Sequence, residues 1–362
     1  MKTNKITYKS DFQVSWQVIA GGRFFAALIT FLLAATSFTE AQTISRVGTT
    51  AAPFLKIGVG GRALAMGEAV TTISNDITGL YWNPAGIAQI TTQQAGISHY
   101  SYIADLTYDF GAVAVPVPEV GTFGLFFSYL NSPDIERTTI YSPNGTGEKV
   151  SSGFWAVGFG YGRELTDRFS IGANIKFIRE SIWHSQADGY AFDIGINYIT
   201  SFKNIKLGMM ISNFGPGMQM GGRDIQIQHD IAEGFDGNNE NINGHLDTDE
   251  FPLPMQFKMG LSADLAKDFM DMPDYSWIVA VDAVHPNDND EYLNLGTEFG
   301  LYERFFLRTG YRKLFLKDSL GGLSFGGGAK VDVLGFNLAL DYANVDFGRL
   351  DHQNKFSLTL SF

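Results

Sequence analysis

The feature that most constrains this chain is an alternation of apolar and polar residues that begins near residue 93 and recurs to residue 362. In residues 169 to 177 the apolar side chains share one parity, and the other parity holds Ser170, Gly172, Asn174 and Lys176. Residues 190 to 198, 255 to 262 and 336 to 343 repeat this pattern. Because successive side chains of a β-strand point to opposite faces, each segment is predicted to be a strand with a different environment on each side.

About fourteen segments show this alternation. They are residues 93–103, 107–117, 121–130, 151–163, 168–181, 188–201, 204–213, 255–266, 275–286, 290–302, 305–313, 322–333, 335–345 and 350–362. Most reach or slightly exceed the ~9 to 11 residues that a tilted strand needs to cross a membrane. The predicted fold class is therefore all-β, a transmembrane antiparallel β-barrel of about 14 strands over residues 93 to 362.

The predicted connections differ in length on the two sides of the sheet. One side has residues 131–150, 182–187, 214–254 and 314–321, and the other has tight turns at 164–167, 202–203 and 302–304. Long loops 131–150 and 214–254 opposite short turns are typical of bacterial outer-membrane barrels, with the loops extracellular.

The strands of a soluble β-sandwich also alternate apolar and polar residues. Features at the two ends of the chain distinguish a sandwich from a membrane barrel. Basic residues, an apolar stretch at 24–35 and small residues at 39–41 predict a signal peptide over residues 1 to 41. The last segment alternates up to a terminal Phe362, which is similar to the insertion signal read by the barrel-insertion machinery. Together with the loop asymmetry, these features favour a barrel in outer-membrane lipid.

The composition excludes several functions. The chain has 362 residues, a formal net charge of -12 and no cysteine. An acidic surface repels phosphates, so nucleic acid is not expected as a partner. Disulfides and thiolate sites are ruled out. The six histidines are scattered without an HExxH pair and no GxSxG motif occurs, so we expect no enzyme activity.

Residues 42 to 92 differ from the rest of the chain, because small residues and an Asn-Pro-Ala-Gly turn at 83–86 replace the alternation. We predict an extended stretch at 49–55, a short helix at 62–72 and further helical turns at 77–90, broken at Pro84. Gly58 to Gly61 lacks the context of a phosphate-binding loop. The segment is interpreted as a small helical plug at the mouth of the barrel, and the simpler alternative is a Gly-rich turn.

Two runs in this segment carry a family resemblance. The runs Arg62-Ala63-Leu64-Ala65-Met66-Gly67 and Leu80-Tyr81-Trp82-Asn83-Pro84-Ala85-Gly86 resemble the N-terminal signature of the PorV/PorQ outer-membrane proteins, distant relatives of the FadL transporters. The resulting plug-motif candidates, with a structural or gating role, are Arg62, Gly67, Trp82, Asn83, Pro84 and Gly86.

The resemblance implies a type IX secretion accessory or shuttle. Such a protein would bind the C-terminal signals of secreted cargo proteins or the translocon. The alternative that it leaves open is FadL-like transport of hydrophobic small molecules across the bacterial outer membrane.

Two sets of polar residues remain. Charges of both signs on the inward parity are expected to pair across the interior rather than form an ion-selective pore; they are Lys176, Asp193, Lys258, Asp282, Glu298, Arg308, Arg312, Lys330, Asp332 and Asp341. Oxygen ligands at calcium-loop spacing occur at Asn239, Asn241, Asn243, Asp247 and Glu250, with a Gly at the sixth position. Position 1 is Asn rather than Asp, and the flanks are strands. No other cofactor is expected, and a soluble Asn-rich turn is the alternative to calcium.

Overall fold

The computed structural model describes residues 46–231, 234, 241–317, 319 and 321–362, so the predicted signal peptide lies outside the described residues. Its barrel strands are β1 Gln94–Ser101, β2 Thr107–Val117, β3 Gly121–Asn131, β4 Ser152–Thr166, β5 Phe169–Ile182, β6 Ser185–Ile199, β7 Lys206–Phe214, β8 Gln256–Asp264, β9 Tyr275–Pro286, β10 Tyr292–Leu301, β11 Phe305–Leu314, β12 Leu323–Val333, β13 Phe336–Asp346 and β14 His352–Ser361. The predicted bounds differ from these by three residues or fewer.

Each barrel strand pairs antiparallel with the next one along the chain, and β1 pairs with β14 to close the sheet. The closing register runs from Gln94 opposite Ser361 to His99 opposite Phe356. A two-residue loop strand, Gly221–Gly222, adds to the start of β6. Closure leaves no free barrel edge, which a sheet in lipid requires because its backbone groups have no water to bond. The predicted closed antiparallel barrel is confirmed.

Tight turns join the strands at the end that carries residues 93 and 362, called here the turn end. Residues 203–204, 302–303 and 334–335 each have two consecutive positive φ angles, the backbone of type I′ hairpin turns. The connection at 265–274 is longer than these turns and contains a short helix, Leu265–Asp268.

The opposite end, called the loop end, carries the two long connections, residues 132–151 and 215–255. The first folds into a hairpin that pairs Ile135–Glu136 with Lys149–Val150. The second holds the paired strands Gln226–His229 and Ile242–His245, and Met218–Gln219 pairs with Glu250–Phe251. The predicted loop 182–187 is wrong, because β5 and β6 extend to Ile182 and Ser185 and leave only a two-residue turn.

The two faces of the sheet follow the predicted parity. In β6, Phe192 and Ile194 are 45% and 60% exposed on the outer face, whereas Asp193 is 1% exposed on the inner face. The interior is not uniformly polar, however. The inner face of β2 and β3 carries buried aromatic side chains such as Phe110 and Phe126, because this wall packs against apolar residues of the chain inside the barrel rather than against water.

That interior chain is residues 46 to 92, called here the N-terminal segment. It contains the helices α1 Gly61–Ala65 and α2 Gly79–Trp82 and the 3₁₀ helices Pro53–Lys56 and Pro84–Gln89. The predicted helix at 62–72 is shorter than expected, because Gly67 and Glu68 take positive φ and end it. The predicted extended stretch at 49–55 is wrong, since the chain turns into a 3₁₀ helix at Pro53.

Candidate functional site

The candidate site is the contact between the N-terminal segment and the inner wall of the barrel. About half of the larger apolar cluster consists of residues of the segment, including Phe54, Ile77 and Trp82, which pack against the inner face of the sheet. Phe54 stacks on Phe154 of β4 with ring centroids 6.1 Å apart, and Tyr81 meets Phe110 edge to face at 6.3 Å. One wall of the contact is therefore aromatic.

Small residues line the wall where the segment approaches closest. Most strands have an inward glycine at which an added Cβ atom would collide with the segment or come into tight contact with it. These glycines are Gly96, Gly124, Gly160, Gly162, Gly172, Gly195, Gly208, Gly260, Gly296, Gly310 and Gly326. The strands without such a glycine place a small residue there instead, such as Ala280 and Ala343. The inner wall is thus shaped to the backbone of the segment.

Filling one of these positions tests this fit. Gly172→Val is expected to destabilise the folded barrel by about 1 to 3 kcal/mol, because its side chain meets Pro84 and Ala85 backbone atoms that cannot rotate away. Gly111→Val is the matched control, since its outward Cβ would lie 4.0 Å from its nearest neighbour. Urea unfolding of both variants in lipid vesicles measures the difference, and equal stabilities would contradict the fit.

Arg62 is the charged anchor of the segment. Its Nε and Nη2 atoms donate to the two carboxylate oxygens of Glu298 on β10, both at 2.9 Å. A third nitrogen donates to the Asn75 side chain at 3.0 Å. The bidentate geometry fixes the orientation of α1 against the wall.

The same carboxylate joins a second arginine. Arg308 on β11 donates to Glu298 at 2.5 Å and to Asp341 on β13 at 2.6 Å. Glu298 and Arg308 side chains are each 2% exposed. We call Arg62, Glu298, Arg308 and Asp341 the latch. Two arginines thus face two carboxylates in the latch, and Asp76 adds a third carboxylate 3.8 Å from Arg62.

The second motif run, residues 80–86, makes contacts within the N-terminal segment and with the inner wall. Trp82 donates from Nε1 to the Val59 carbonyl at 2.9 Å, and the Lys258 ammonium lies 4.9 Å from its ring centroid. Asn83 donates to the Thr71 carbonyl at 2.7 Å and accepts from the Ala85 N–H at 3.1 Å. The second bond caps the 3₁₀ helix that Pro84 begins.

The two motif glycines are required for close approach. A Cβ on Gly67, whose φ is 62°, would lie 2.6 Å from the backbone nitrogen of Tyr311 in β11. A Cβ on Gly86 would collide with the Ser74 carbonyl inside the segment. All six motif residues thus make contacts that hold the segment together or hold it to the barrel. Their gating role stays a prediction.

The inward charges pair less with one another than predicted. Lys176 and Asp193 do form an ion pair across neighbouring strands at 2.8 Å. Asp282, however, accepts from the N–H and hydroxyl of Thr71 at 2.9 and 2.7 Å, and Arg312 pairs with Glu68 at 3.5 Å. The sequence did not predict these partners in the N-terminal segment, because they lie far along the chain from the inward charges and no local spacing indicates them.

Two of the predicted interior charges share the inward parity of β12 but lie at the solvent-exposed rim of the barrel. Lys330 and Asp332 are exposed near the turn end of β12, where Asp332 lies 3.8 Å from Arg304. A small cavity remains between the segment and the inner wall, with Tyr81 and Lys258 among its lining residues. Its volume of about 20 Å³ holds little more than one water molecule.

The described candidates for calcium ligands lie in the loop-end connection 215–255. Asn239 lies outside the described residues. Asn243 is part of the strand Ile242–His245, Asp247 accepts from Gln219 at 2.9 Å, and Glu250 pairs in a short strand. Within the described part of the chain, no group of three or more His, Asp or Glu side chains is placed to hold a metal ion. Calcium at these residues stays a prediction.

Phe362 ends β14 beside the start of the barrel. It exchanges backbone hydrogen bonds with Gln93 at 2.9 and 3.1 Å, and its ring meets Phe336 with centroids 6.4 Å apart. These contacts complete the closure of the sheet. Its role as an insertion signal is a prediction that the fold does not test.

Comparison with known proteins decides the family. The model of the family described as type IX secretion system protein PorV matches residues 39 to 232, more than half of the chain. This chain belongs to the PorV family. The match includes both motif runs and the loop-end hairpin at 132–151. A comparison with curated protein sequences finds no match.

Solved structures agree on the fold. The toluene transporter TbuX of Ralstonia pickettii is 10% identical with a TM-score of 0.51, and the alignment covers 84% of this chain and 97% of that one. The toluene transporter TodX of Pseudomonas putida gives 13% identity, a TM-score of 0.51 and the same coverage. At these identities the likeness shows the fold alone.

The family and the fold place this PorV-family protein in the bacterial outer membrane, with its outer parity in lipid. Both are those of a secretion or transport barrel rather than of an enzyme class. None of the helices in the described ranges is long and apolar enough to cross a membrane.

Proposed function

We propose that this protein is an accessory of type IX secretion that binds the C-terminal signals of secreted cargo, or the translocon, at its loop end. The observation that carries the proposal is the PorV-family match over residues 39 to 232. The coarser role, an outer-membrane barrel of a secretion family, does not depend on which of these partners is bound.

The chemistry of the loop end supports binding of a protein. Ile140 and Tyr141 at the tip of the hairpin in 132–151 are 95% and 96% exposed. The hairpin is held in place, because Arg137 pairs with Glu148 at 2.7 Å and lies 5.1 Å from the Trp183 ring centroid. Adjacent apolar side chains that an ordered hairpin presents to water are typical of protein contact sites.

We further propose that the N-terminal segment acts as a plug. The latch, the aromatic wall and the inward glycines support this role, because each holds the segment where a channel would run. A blocked lumen leaves the loop end as the place where a secreted protein is bound. Cargo would then be handled outside the barrel and would not pass through it.

Photo-cross-linking in cells tests the binding role. A photoreactive amino acid at Tyr141 is expected to capture secreted proteins with C-terminal sorting domains, or the translocon. Leu334 is the matched control, since it is 94% exposed in the turn between β12 and β13 at the opposite end of the barrel. Equal capture at both positions, or capture of neither partner at Tyr141, would contradict the proposal.

Transport of hydrophobic molecules is the alternative function. The solved relatives named as toluene transporters share the fold at 10% and 13% identity, which does not extend their substrates to this chain. Fatty acid or another apolar small molecule that copurifies inside the barrel, without any cross-linked protein, would favour transport over secretion.

A further inference from the structure

One end of the N-terminal segment lies among the extracellular loops. The Ala51 N–H donates to the Pro252 carbonyl, in the loop 215–255, at 2.9 Å. Thr50 donates to Asp288 at 3.0 Å, and Lys56 forms an ion pair with the same carboxylate, which belongs to the connection between β9 and β10. Both connections lie at the loop end. Residues 46 to 52 are therefore part of the mouth on that side.

The other end of the segment lies among the tight turns. Pro84 contacts Gly172, near the start of β5, and Ile87 contacts Gly162, near the end of β4. Both positions lie beside the turn at 167–168. Gln93 then bonds the backbone of Phe362, and β1 begins at the next residue. Between these ends, α1 contacts the middle of β13, where Gly61 approaches the Asp341 backbone. The segment thus passes through the barrel from the loop end to the turn end.

We propose that residues 46 to 52 lie at the cell surface, so that the two ends of the N-terminal segment lie on opposite sides of the outer membrane. The loop end of a bacterial outer-membrane barrel is extracellular. A protein that docks on the mouth then contacts the same polypeptide that fills the lumen. This inference uses only the sidedness of the barrel and is independent of the proposed role in secretion.

Single-cysteine labelling tests the inference, because the natural chain contains no cysteine. Val47→Cys places a thiol on a side chain that is 65% exposed at the start of the segment. Tyr141→Cys is the extracellular control, and Leu334→Cys is the control for the turn end. Intact cells are treated with a membrane-impermeant maleimide, and labelling is scored only on folded barrels.

Val47→Cys is expected to react in intact cells to the extent of Tyr141→Cys, whereas Leu334→Cys reacts only after the outer membrane is permeabilised. Reaction of Val47→Cys only after permeabilisation would overturn the inference, since the segment would then begin at the periplasmic side. Absence of reaction in both states would overturn it as well, because an exposed thiol at an open mouth must be accessible.

Discussion

Deletion of residues 43 to 90 is expected to convert a closed barrel into an open channel, seen as discrete conductance steps in planar bilayers. The segment supplies about half of the larger apolar cluster inside the sheet, and the cavity left beside Tyr81 has a volume of only about 20 Å³. Without the segment, the inward glycines and alanines would face water. A barrel of this strand number is wide enough to conduct ions once nothing fills it.

The control for this deletion removes residues 138 to 146, the tip of the loop-end hairpin, and should leave the barrel closed. Circular dichroism of both deletions shows whether the strands are retained. Unchanged conductance after loss of residues 43 to 90, in a barrel that still folds, would remove the plug interpretation.

The second large effect is expected at Glu298. Glu298→Gln leaves the buried Arg308 with the Asp341 carboxylate and the partly exposed Arg62 with Asp76 at 3.8 Å, and removing one partner of a buried ion pair costs about 3 to 5 kcal/mol. The loss is measured as the change in the free energy of unfolding in urea. Brief channel openings in the full-length variant are expected as well, because Arg62 is what ties α1 to β10.

Glu303→Gln is the matched control for this substitution. Glu303 also pairs with a cation, Lys267 at 2.6 Å, but its side chain is 73% exposed in a tight turn. Water screens such a pair, so its loss should cost less than about 1 kcal/mol. Equal losses in the free energy of unfolding for Glu298→Gln and Glu303→Gln would contradict a stabilising role of the latch.

The alternation of side chains predicted the barrel almost completely. In residues 169 to 177, a period of two fixes which side chains share a face, and fourteen such segments fix the number of crossings. Loop lengths predicted which end of the barrel carries the long connections. Where the prediction was wrong, as at 182–187, polar residues such as Ser185 and Gln186 continue the ladder although they read locally as a loop.

The motif runs predicted where the site lies but not what it contacts. Gly67 and Gly86 marked close approach, because only glycine accepts a backbone neighbour at the position of a Cβ. The partner of Arg62 was not predictable, since Glu298 is one of several inward acids and lies 236 positions away. The sequence pattern did not distinguish inward aromatic residues such as Phe126 from the aromatic residues that face lipid.

The sequence alone determined the local properties of this protein: strand positions, the face of each side chain and most of the turns. Each of these depends on residues close together along the chain. Only the tertiary structure decided that residues 46 to 92 run through the barrel, that Arg62 meets Glu298, and that one inner wall is aromatic. The reason is physical: an inward position does not specify whether it faces water, another strand or the chain's own N-terminal segment, and only closure of the sheet brings those groups together.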